Sequence, residues 1–129
     1  MSDLKSELIA FMEATGHLGY ALCRVDGEVG FEEATAFSMQ LHDLWDGLKQ
    51  DYLRAAEDQF KVATKEKITS KTAFQQALEG FKEHKDYVTK YQDQLMDLLT
   101  GLAAADKDFS ADEKEFIVQF DAIVQDLIG

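Results

Sequence analysis

The chain contains no proline, one cysteine, one tryptophan and few positive charges. Without proline, nothing fixes kinks or rigid turns, and a proline-rich linker or recognition segment is excluded. A lone Cys23 cannot close an internal disulfide; it lies in an apolar helical stretch, where a buried, inert thiol is expected. No apolar run reaches the roughly 18 to 20 residues needed to span a bilayer, so direct membrane insertion is not expected. The opening Met1, Ser2, Asp3, Leu4, Lys5 lacks the basic-then-apolar layout of a signal peptide, which makes a cytoplasmic location the expectation. Thirteen Lys and Arg stand against 25 Asp and Glu, a net charge of −12. That sign repels phosphate backbones and removes nucleic acid from the expected partners.

What the chain has is enough apolar material for one core. Its 129 residues are 46% hydrophobic, with nine Phe and four Tyr, which suits a single domain over 1–129 and excludes disorder. The charge is uneven. From Phe60 to Lys90 seven Lys outnumber four acids, so this stretch carries +3 and the remainder −15. Lysine runs of this kind normally form a solvated helix face.

Apolar residues recur at helical spacing along most of the chain, which predicts an all-α fold, a compact bundle of six to seven helices. Ser2 or Asp3 can cap a first helix through Leu8, Phe11 and Met12, with a break near Gly16 and a second helix to Asp26-Gly27. A third opens near Gly30 to Phe31 and carries Phe37, Leu41, Leu44, Trp45 and Leu48. After a bend near Gly47 the pattern continues through Leu53 and Phe60 to Ile68, and Ser70 is a plausible cap for the next helix. A turn over Gly80 to Asp86 precedes a long apolar helix from Tyr87 to Leu102, and the last helix opens at Ser110. Trp45, Phe37 and Phe60 are expected in the core, as aromatics at helical spacing usually are.

The informative feature is a repeat. At an offset of 80 residues, Leu18 falls on Leu98, Leu22 on Leu102, Asp26 on Asp106 and Glu33 on Glu113, while Glu28 meets Asp108 and Val29 meets Phe109. Two pseudo-repeated helix-loop-helix units follow. Their segments, ALCRVDGEVGFEEATAF and GLAAADKDFSADEKEFI, resemble the signature of tellurite-resistance TerB-like domains, which also occur at the N-terminus of some J-domain co-chaperones. The second unit departs from that signature at Lys107, where the first has Gly27. The resemblance implies an all-helical domain in which the two units are related by a pseudo-twofold. It further implies a non-enzymatic interaction module of a tellurite-type stress response, protein partners that are membrane-associated, and a link to divalent metal.

Six carboxylates occupy matching places, Asp26, Glu28, Glu33, Asp106, Asp108 and Glu113. They are the candidate ligands for a hard cation such as Ca²⁺ or Mg²⁺. The competing reading is local. Ser110 with Glu113 is a capping box, and acids in the first turn of a helix favour its positive end. Aligned on an EF-hand by their final Glu, the two units place Leu22 and Leu102 where the first Asp belongs, so only half a calcium loop is present. His42 with Asp46 and Glu13 with His17 are helical neighbours of ordinary kind. No His-Glu-x-x-His, glycine-rich phosphate loop or Gly-x-Ser-x-Gly elbow is found, and no catalytic residue is expected.

Overall fold

The computed structural model describes residues 4–105 and 110–129. Seven helices fill these segments: α1 Ser6–Arg24, α2 Phe31–Leu44, α3 Gln50–Glu66, α4 Ser70–Glu83, α5 Lys85–Lys90, α6 Gln92–Ala105 and α7 Ala111–Ile128. No strand occurs among the described residues.

Helix α1 is the axis of the bundle. It packs chiefly on α3 and α4 and also against α6, and it buries Phe11, Met12, Leu18, Tyr20, Ala21 and Leu22. The break expected near Gly16 does not exist; the helix runs straight through it. Glycine serves a close approach there instead. A Cβ on Gly16 would stand 2.4 Å from the Ala56 carbonyl oxygen of α3, and one on Gly80 would stand 2.8 Å from the Ala14 Cβ. These are contacts that no other side chain permits. The N-cap of α1 is Lys5, whose N–H donates to the Tyr52 hydroxyl at 2.8 Å. The alternatives Ser2 and Asp3 lie outside the described residues.

Two further boundaries differ from expectation. Thr69, not Ser70, caps α4, its Oγ1 accepting from the Thr72 N–H at 3.1 Å. Ser70 Oγ instead donates to the Ala21 carbonyl at 2.7 Å, and the Tyr20 hydroxyl donates to the Ile68 carbonyl at 2.7 Å, so the α3–α4 turn is tied to α1. The long apolar helix is divided at Tyr91, where the backbone leaves helical dihedrals (φ −110°, ψ 20°). There the ring packs within 5.7 Å of Phe11 and 6.0 Å of Trp45.

Helix boundaries follow the offset of 80. Phe31 opens α2 and Ala111 opens α7; Arg24 ends α1 and Ala105 ends α6. Leu18 and Leu98 are both fully buried. Phe11 and Tyr91, equivalent under the offset, pack against each other with ring centroids 5.7 Å apart. Each fully buried large side chain in this core contributes about 1.5–3 kcal/mol.

Candidate functional site

The two units meet where the turn after α1 reaches the N-terminus of α7. Helix α1 ends at Arg24 and the chain turns through Gly27, whose φ of +142° only glycine adopts readily. Asp26, in this turn, accepts from Ser110 Oγ at 3.0 Å on Oδ1 and 2.9 Å on Oδ2. Ser110 is the N-cap of α7, 84 residues away in sequence. Its Oγ also accepts from the Glu113 N–H at 3.1 Å, and its own N–H donates to Glu113 Oε1 at 3.0 Å. The single hydroxyl proton goes to Asp26 and the lone pairs serve the helix end, so one serine closes the capping box and joins the units.

Glu113 is buried, only 4% exposed. Its carboxylate is held by the capping hydrogen bond and the positive end of α7, the compensation a buried acid requires. The first unit makes half of the same device. Glu33 Oε2 accepts from the Gly30 N–H at 3.0 Å, but Gly30 has no hydroxyl to return.

Asp26, Glu28, Glu33 and Glu113 line one cleft of about 150 Å³, together with Cys23 and Leu102. Four of the six expected carboxylates are thus brought together, from both units; Asp106 and Asp108 lie outside the described residues. Three of the four are engaged in hydrogen bonds that hold turns and caps. Among the described residues no three His, Cys, Asp or Glu side chains stand close enough to hold a metal ion. Cys23 is half-buried on the cleft wall, less enclosed than its apolar surroundings in sequence implied.

Two of the three histidines find partners on other helices. His42 Nε2 lies 3.5 Å from Glu57 Oε2 on α3, not against Asp46, and Ser38 donates to the same oxygen. His17 shares a 3.2 Å hydrogen bond with Gln59, and burial holds its pKa below the usual 6.5, against the opposing pull of Glu13 and Glu66. The Ser38–Glu57–His42 group was not legible beforehand, because nothing in local spacing pairs α2 with α3. The seven lysines from Lys61 to Lys90 are all exposed.

An all-helical bundle built from two helix-loop-helix units, with the acidic turn of the first tied to the helix start of the second, defines the class. The family described as Tellurite resistance protein TerB matches residues 12–125, nearly the whole chain. The chain belongs to the TerB family. No curated protein and no solved structure gives a significant match. No helix among the described residues is long and apolar enough to cross a membrane.

Proposed function

We propose that this TerB-family chain is a non-enzymatic interaction module of a tellurite-type stress response, working in the cytoplasm and docking protein partners, membrane-associated ones included, through its acidic turns and the adjoining α2. The observation that carries this reading is the division of labour among the carboxylates. Asp26, Glu33 and Glu113 are tied into internal hydrogen bonds, whereas Glu28 and Glu32 extend from the same region as exposed acids. An acidic, exposed rim on a rigid internal scaffold suits electrostatic recognition, which sets association rate and partner choice. Reversing charge at Glu28 and Asp108 (E28K/D108K) is expected to leave the circular dichroism spectrum unchanged and to abolish capture of the partners that wild type cross-links in cells. Capture of the same set by the variant would overturn the reading.

The alternative is a divalent-cation-binding protein using the paired acidic turns, favoured by the convergence of Asp26, Glu28, Glu33 and Glu113 on one cleft. Ca²⁺ or Mg²⁺ at a hundred times its dissociation constant would then stabilise the fold by about 2.7 kcal/mol. Thermal unfolding of chelator-treated protein, with each cation and beside D26N/D106N, tests it. A cation-specific rise lost in that variant supports the site, and no rise beyond matched ionic strength removes it.

A further inference from the structure

Helix α2 carries a second feature that the acidic turns do not explain. Phe31 and Met39 are 84% and 64% exposed, two of the four large apolar side chains left open among the described residues. They belong to one solvent-facing row: Phe31, Thr35, Met39 and Asp43 are spaced by four, and Glu32 joins Thr35 at three. Between this row and α3 lies a groove of about 340 Å³, with Phe31 and Met39 at its rim and Phe37 and Phe60 within its lining. Phe37 and Phe60 are stacked at 4.6 Å, so their part of the lining is rigid.

Charge decides what this groove suits. From Val25 to Gly47 there are six carboxylates and neither Lys nor Arg. A second copy docked α2 to α2 would set these acids against their own kind, which disfavours self-association through this face. A cationic partner gains from the same charges. The apolar rim asks for large side chains at helical spacing, since anchors that fill such a groove come from one face of an amphipathic helix. The groove's own charged lining residues, Glu57 and Lys61, both stand on α3 and offset each other, so the net acidic charge beside the groove comes from the flanking residues of α2.

We infer that the α2–α3 groove is the docking site for a basic amphipathic helix of a partner protein, its apolar face seated on Phe31 and Met39 and its lysines or arginines facing Glu32 and Asp43. This rests on the reading of the chain as an interaction module and supplies the partner's chemistry. The test uses the full chain and a fluorescent peptide of Leu and Lys patterned as an amphipathic helix. Its controls are a scrambled peptide of the same composition and a Leu–Glu analogue.

The expected result is saturable binding of the patterned cationic peptide alone, weakened by added salt and weakened about tenfold or more by F31A/M39A, as truncation of anchor residues does. Both side chains are exposed, so the double variant keeps its unfolding temperature and reports on the surface. Equal binding of the scrambled peptide, or unchanged affinity in F31A/M39A, overturns the inference. So does a dimer in sedimentation that F31A/M39A dissociates, because a second copy would then cover the face. Failure here is distinguishable from failure of the broader reading: Glu28 is not among the residues that line the groove, and loss of native partners in E28K/D108K would stand whatever the peptide does.

Discussion

The two units share a pattern and a set of helix boundaries, yet they carry different loads. In the first, α1 is unbroken and enclosed by α3, α4 and α6, while α2 leans on α6 of the other unit and on α3. In the second, the equivalent stretch is divided into α5 and α6 at Tyr91, and α7 packs back on both of its pieces. The caps differ in the same sense. Helix α7 opens on a serine that makes both halves of a capping box and reaches Asp26, whereas α2 opens on Gly30 and makes one half. One template can thus supply a central post in one copy and a cover in the other, with the distinction set by a few glycines and one hydroxyl.

The sharpest way to break that comparison is where Phe11 and Tyr91, the equivalent residues of the two units, pack together. Phe11→Ala is expected to cost about 3–5 kcal/mol, since it opens a cavity among Phe81, Tyr87 and Tyr91. Tyr91→Ala, on the slightly exposed side of the pair, should cost less, and denaturant unfolding of the two variants would rank them. An equal loss would mean that the units share the core evenly. Next in size, Gly16→Ala drives a Cβ into the Ala56 carbonyl and should cost about 1–3 kcal/mol. Gly101→Ala meets only the flexible Gln40 amide and should stay within about 1 kcal/mol of wild type, helped by the gain in helix propensity.

Smaller effects bear on the caps. Ser110→Ala removes the Glu113 N–H acceptor and the donor to Asp26, and about 1 kcal/mol of stability should go with it. Gly30→Ser would give α2 the cap that α7 already has, and a gain of a few tenths of a kcal/mol is expected in thermal unfolding, because Gly is itself a tolerable N-cap. The smallest signal is pH. His17 on α1 is half-buried against Gln59, while its equivalent in the second unit, Asp97, is exposed. Burial lowers the folded pKa of His17 below 6.5, so the unfolded chain takes up its proton first. Stability is therefore full above pH 6.5, falls as pH drops from there through the folded value, and then levels. His17→Gln should flatten that part of the profile; an unchanged profile would assign the slope to other groups.

Much of this was legible in the sequence where the cause is local. The starts of α2 and α7, the Ser110–Glu113 box and the repeat all follow from residues within a few positions of one another or from a simple offset. What was not legible is decided by neighbours distant in the chain. Gly16 read as a break, because a sequence does not distinguish a glycine that ends a helix from one that admits another helix, whereas the turn expected over Gly80 to Asp86 falls at His84, with Gly80 itself inside α4. Tyr91 gave no sign of a break, since the apolar pattern runs on across it and the rings it packs against, Phe11 and Trp45, are distant in the chain. The same holds for the site. Four carboxylates of the expected set do converge, but the hydrogen bond from Ser110 to Asp26, which gives the cleft its form, spans 84 residues and has no local signature.

The central position of α1 also bears on synthesis. Its apolar surface leaves the ribosome before α3 and α4, which cover it, have been made. At about 5–20 residues per second that surface stays open on the order of several seconds. A nascent chain in that interval presents Phe11, Leu18 and Leu22 to whatever is nearby, so chaperone dependence of this protein should concentrate in the time before α4 emerges.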